Sequence, residues 1–77
     1  MSMGLNKCEF IGNLGRDPEL STTQSGLKVT RFSLAVNEKR KETETTLWVN
    51  VTTFDKLAEI TAQYLTKGQK IFVVGRI

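Results

Sequence analysis

The sequence has no histidine, one cysteine and one proline. Without histidine it has no side chain that ordinarily titrates between pH 5 and 8, which excludes imidazole acid–base catalysis. A lone Cys8 excludes a disulfide within the chain, and no donor set of the Cys/His metal type can form around it. Cys8 reads as a small core hydrophobe rather than a reactive thiol. No apolar run approaches the ~20 residues of a membrane helix. Met1-Ser2-Met3-Gly4 leads directly into strand-like sequence, so no signal or transit peptide is expected. Neither paired carboxylates nor a nucleophile constellation stands out, so an enzyme is not expected, nor a cofactor or metal. These absences together point to a reducing, aqueous compartment.

What is present fits one small domain. Seventy-seven residues lie near the low end of what a single core stabilises. At 39% hydrophobic and 25% charged, the chain is globular in composition rather than disordered. Eleven Lys and Arg against eight Asp and Glu leave a net charge of +3. That mild basicity suits a nucleic-acid partner without demanding one.

The most informative stretch runs from Thr46 to Phe54. It is rich in β-branched and aromatic residues and free of Gly and Pro, so it reads as a strand. Alternation sends Leu47, Val49, Val51 and Thr53 to one face and Trp48, Asn50, Thr52 and Phe54 to the other. The second face is polar with an aromatic near each end, and at ~3.4 Å per residue the two rings stand roughly 20 Å apart. Such rings can stack unpaired bases. They can equally pack beneath loops or a neighbouring subunit, and the stretch alone leaves both readings open.

Other segments fall into place around it. Leu5 to Leu14 reads as a first strand with Cys8, Phe10, Gly12 and Leu14 on one face; Gly12 and Gly15 mark a bend or bulge. Arg16 to Gly26 reads as turn material. Leu27 to Asn37 is a second strand with Thr30, Phe32, Leu34 and Val36 on its apolar face. Glu38 to Thr45 reads as a flexible hairpin loop. Its Lys39-Arg40-Lys41 run either grips a phosphate backbone or is solvated surface. Asp55 to Lys67 reads as the one helix, with Asp55 as N-cap and Leu57, Ile60, Tyr64 and Leu65, helped by Ala58, as its buried stripe. Lys67 and Gly68 are placed at its C-terminal end. Lys70 to Ile77 starts a further strand with Ile71, Val73, Gly75 and Ile77 on one face.

Three strands, a helix and a fourth strand are the order of an OB-fold. That five-stranded Greek-key barrel binds its ligands on strands two and three. These are the strands that carry Arg31, Asn37, Trp48, Asn50 and Phe54. The residues also resemble a family, the bacterial single-stranded-DNA-binding proteins. The resemblance rests on Asn6-Lys7, on Ile11-Gly12-Asn13-Leu14-Gly15-Arg16-Asp17-Pro18-Glu19, on Phe32-Ser33-Leu34-Ala35-Val36 and on Trp48-Val49-Asn50-Val51. The most specific segment is Phe54-Asp55-Lys56-Leu57-Ala58-Glu59 through Tyr64-Leu65-Thr66-Lys67-Gly68.

The resemblance implies sequence-tolerant binding of single-stranded DNA in replication, repair and recombination, by a homotetramer in the bacterial cytoplasm, associated with the nucleoid. It implies that Trp48 and Phe54 stack bases and that Lys7, Lys56 and Lys67 lie near the bound strand. Arg31, Lys39, Arg40, Lys41 and Arg76 would extend the electrostatic track, and Asn37 and Asn50 would hydrogen-bond bases or phosphates. Arg40 stands where many members have a further aromatic, and a guanidinium plane stacks with less area. The family's domain continues past Ile77, so residues 1–77 are expected to be a single OB domain truncated before its last strand. The family's C-terminal tail, which recruits replication and repair proteins, would then be absent. An OB module that binds RNA or primosome proteins is the alternative.

Overall fold

The computed structural model describes residues 4–77, and the reading of Met1 to Met3 lies outside them. Five strands and one helix follow in order: β1 (Cys8–Leu14), β2 (Glu19–Thr22), β3 (Lys28–Arg40), β4 (Thr43–Phe54), α1 (Asp55–Tyr64) and β5 (Lys70–Gly75). Every pairing is antiparallel. Strand β3 carries β4 along one edge; its other edge carries β2 at the start and β1 further on, and β1 in turn carries β5. The result is the expected OB-type architecture, mostly β with one helix, in which the sheet stays open between β4 and β5. A cleft of about 920 Å³ lies there, lined by Phe10, Phe32, Val51, Leu65, Ile71 and Val73 among others.

The core forms on the inner face that alternation defines. Leu14, Phe32 and Leu34 are its buried centre, with Phe10, Val36, Val49, Val51, Leu65, Ile71 and Val73 packed against them. Gly12 belongs to this face, and a Cβ there would stand 2.4 Å from the Ala35 carbonyl oxygen. Close passage of β1 over β3 therefore explains that glycine better than a bend does.

Several expectations are corrected. Glu19 to Thr22, read as turn, is strand β2; all four residues are exposed, so no apolar alternation marks it. Glu38 to Thr45 is not a loop but the end of a long ribbon. Arg40 pairs with Thr43, and only Lys41 and Glu42 turn, with Lys41 in the left-handed region at φ 52°. Leu47, expected in the core, is exposed because it lies opposite Val36 where the ribbon leaves the body of the sheet. Val29, on the nominally polar face of β3, is buried between Phe54 on one side and Ser21 on the other.

The helix differs as well. It ends at Tyr64 rather than Lys67, with Leu65 as C-cap, and Phe54 rather than Asp55 is the N-cap. Asp55 itself has φ 56° and makes no side-chain cap bond, although its charge still favours the first turn. Gly68 adopts its positive φ in the turn before β5. The buried contact is made by Ala58 and Thr61, whereas Leu57, Ile60 and Tyr64 remain half or more exposed. Small residues let the helix approach the sheet closely, and hydroxyl groups complete the contact. Thr30 Oγ1 donates to the Ala58 carbonyl at 2.6 Å, as does Thr61 Oγ1 at 3.1 Å. Thr53 Oγ1 lies 2.9 Å from Thr61 Oγ1 and 3.3 Å from the Thr30 carbonyl. Among the described residues no buried side-chain nitrogen or oxygen lacks a partner.

This network generates a test. Thr30→Val keeps the shape but removes a buried hydrogen bond, and Thr53→Val removes the hydroxyl that meets both Thr61 and the Thr30 carbonyl. Each should lower stability by about 1–2 kcal/mol, read as a lower urea midpoint at constant m-value. Unchanged midpoints would show that the hydroxyls do not hold the helix to the sheet.

Candidate nucleic-acid interface

The outer face of β3 and β4 is set by their shared register. Trp48, Asn50, Thr52 and Phe54 on β4 lie opposite Ala35, Ser33, Arg31 and Val29 on β3. Directly opposed residues share a face, so these eight lie on one side of the sheet, with Val29 alone buried among them. Trp48 is 59% exposed and Phe54 54% exposed. Neither ring is buried beneath a loop of its own chain. Between them stand the polar groups of Asn50, Thr52 and Ser33 and the exposed Arg31. Asn37 continues the surface onto the ribbon, where its Oδ1 accepts from Thr46 Oγ1 at 2.9 Å.

The charged candidates separate into groups. Lys39 alternates onto the Trp48 face, opposite Glu44, whereas Arg40 falls on the other side of the ribbon and Lys41 at its tip. Lys56 is the second residue of α1, beside Phe54. Lys67 lies in the turn before β5, and its amide donates to Asp17 Oδ1 at 2.7 Å. Lys7 stands at the far end of β1, 3.5 Å from Glu9, so its charge is partly paired. Arg76 follows β5 and lines the cleft that Phe54 also lines. The fold thus gathers Trp48, Phe54, Asn50, Asn37, Arg31 and Lys39 on one surface with Lys56 at its border. It does not bring Lys7 or Arg40 onto the same patch.

One residue of this surface escaped the sequence reading. The six-membered part of the Trp48 indole lies over Gly15, where a Cβ would stand 2.6 Å from Cζ3. No periodicity signals such a contact, because Gly15 lies in the β1–β2 connection.

Comparison with known proteins agrees with the fold. The sequence profile of the single-strand binding protein family matches residues 5–77. The single-stranded DNA-binding protein of Xanthomonas campestris is 43% identical over 82 residues, covering all of this chain and 48% of that one. Single-stranded DNA-binding protein 1 of Chlorobaculum tepidum is also 43% identical, covering all of this chain and 51% of that one. A crystal structure of a deletion mutant of the single-stranded DNA binding protein from Thermus aquaticus superposes with a TM-score of 0.80 at 42% identity. It covers 94% of this chain and 32% of that chain. The fold and its exposed aromatic sheet face define a protein of the OB class. Within it, the chain belongs to the single-strand binding protein family. It spans about half the length of the curated relatives it matches.

Lys28, at the start of β3, is bonded to Glu59 of α1 and so is engaged within the fold. The hydrogen bond and the charge of Lys28 hold the Glu59 carboxyl below its ordinary value, with a smaller contribution from Lys56. A depressed carboxyl contributes stability above its unfolded pKa and loses it as pH falls through the folded pKa. The contribution of Glu59 should therefore vanish only below the usual glutamate range. A carbon-detected NMR titration of Glu59 should show a low midpoint that moves up in Lys28→Ala. A midpoint unmoved by the substitution would contradict the pairing.

Proposed function

We propose that the outer face of β3 and β4 binds single-stranded DNA, as the names of the relatives indicate for them, and that it does so with little sequence preference. The observation that carries this reading is the pair of half-exposed rings, Trp48 and Phe54, on one polar sheet face. Every base offers a flat π-face, so stacking on spaced rings is tolerant of sequence. Arg31 lies between the rings, opposite Thr52, whereas Lys39 lies beyond Trp48 on the ribbon and Lys56 beyond Phe54 at the start of α1, where a strand would leave them. Arg40 and Lys41 at the ribbon end and Lys67 in the turn before β5 would meet only its continuation. Asn50 supplies a hydrogen-bonding group between the rings and Asn37 one beyond Trp48. Lys7 and Arg76 stand further off and would meet only a longer strand.

The proposal extends to the setting. The protein coats exposed strands in replication, repair and recombination as a homotetramer, in the bacterial cytoplasm and in association with the nucleoid. Its action is binding, without chemistry. Among the described residues no helix is long and apolar enough to cross a membrane.

Two measurements test the reading. Affinity for oligo-dT should exceed that for the matching RNA and for duplex DNA, and Trp48→Ala should cost about 1–3 kcal/mol of binding, the worth of one base–aromatic stack. Preference for RNA or duplex, or an unaffected Trp48→Ala, would contradict it. The logarithm of the binding constant should also fall with the logarithm of salt concentration, by roughly 0.7 per phosphate neutralised. Replacing Lys39, Arg40 and Lys41 by Ala should flatten that slope, and an unchanged slope would show the ribbon tip to be solvated surface.

A further inference from the structure

We infer that Gly15 is a positioning residue for the Trp48 ring: its missing side chain leaves the seat on which the indole lies with its outer side free. The inference rests on the reading of Trp48 as a base-stacking ring. The contact is specific. A Cβ at Gly15 would meet Trp48 Cζ3 at 2.6 Å, Cη2 at 3.1 Å and Ser33 Oγ at 3.3 Å. Backbone conformation does not call for glycine there, since the left-handed glycines are Gly26 and Gly68. Space is the requirement. Ala35, directly opposite Trp48, and Ser33, two residues along the same face, are also small. Together with Gly15 they make a low floor across the sheet.

The backbone of that floor cannot easily yield. The Gly15 amide donates to the Ser33 carbonyl at 3.0 Å. On its other side, Leu14 exchanges bonds with the α1–β5 connection, donating to Gln69 O at 3.0 Å and accepting from Gly68 N at 2.9 Å. Asn13 Nδ2 donates to Gly68 O at 3.0 Å, and Asp17 holds the Lys67 amide. A methyl group added at Gly15 is therefore accommodated by the indole, which has only two rotatable bonds and must swing off its seat. A displaced ring loses its fixed orientation, and binding must then order it again at a cost in affinity.

A double-mutant cycle separates this role from a general effect on folding. Binding of a fluorescein-labelled oligo-dT would be measured by anisotropy for the parent, Gly15→Ala, Trp48→Ala and the double variant. Gly15→Ala should weaken binding about five- to tenfold, a part of what a base–aromatic stack commands, with the salt slope unchanged because no cation is lost. Trp48→Ala should weaken it at least as much, and adding Gly15→Ala to Trp48→Ala should change nothing further. In the free protein, Trp48 emission should become less polarised in Gly15→Ala. If Gly15→Ala fails to fold alone, the double variant should regain a thermal transition, because the obstructing ring is gone. Parent-like binding by Gly15→Ala would overturn the inference. So would equal losses in both backgrounds, or unfolding in both, since each would place the constraint in the backbone. Parent-like binding by Trp48→Ala would instead defeat the stacking reading itself, and the inference with it.

Discussion

The ladder between β3 and β4 is the constraint on which the rest depends. It runs without interruption from Val29↔Phe54 to Arg40↔Thr43. Because side chains alternate with a period of two, this single register assigns every residue of both strands to one of two faces. Phe32 and Leu34 go inward with Val49 and Val51, and Trp48 goes outward with Asn50, Thr52 and Phe54. A slip of one residue would bury Asn50 and Thr52 and expose the core. The core and the candidate interface are therefore specified by the same hydrogen bonds. Strand β3 adds to this by pairing with β1, β2 and β4 at once, so it is held along both edges.

Much of this could be read from residue order. Alternation located β1, β3, β4 and β5, and the same alternation exposed Trp48 and Phe54 on a shared face. What could not be read has physical reasons. Strand β2 is held by its neighbour rather than by a buried face, so Glu19 to Thr22 carry no apolar signal. Charges on Glu38 to Glu44 hid a ribbon whose stability lies in backbone pairing. Helix α1 was misread because large apolar residues were expected to be the buried ones. Instead Ala58 and Thr61 make the contact, and their small size is what allows the helix so close to Thr30 and Thr53. Leu57 and Leu65 line the cleft between β4 and β5.

The site divides in the same way. Which residues lie on the candidate face follows from the strand period. How the ring at position 48 is oriented does not, because it depends on Gly15 in a connection with no period at all. The segment from Gly12 to Asp17 illustrates the point. Gly12 lets β1 pass β3, Asn13 and Leu14 bind the turn before β5, Gly15 meets the indole, and Asp17 binds the Lys67 amide. Its sequence reads as a strand end with a bend or bulge running into a turn, yet it ties three parts of the fold to the candidate interface.

The central claim is that Trp48 lies open on a surface built to receive unpaired bases. As the only tryptophan, it reports on that surface alone. Titrating the protein with oligo-dT and following tryptophan emission tests the claim most directly. The account predicts deep, saturable quenching that duplex DNA of the same length does not reproduce. Emission that stays constant while the oligonucleotide demonstrably binds would contradict it.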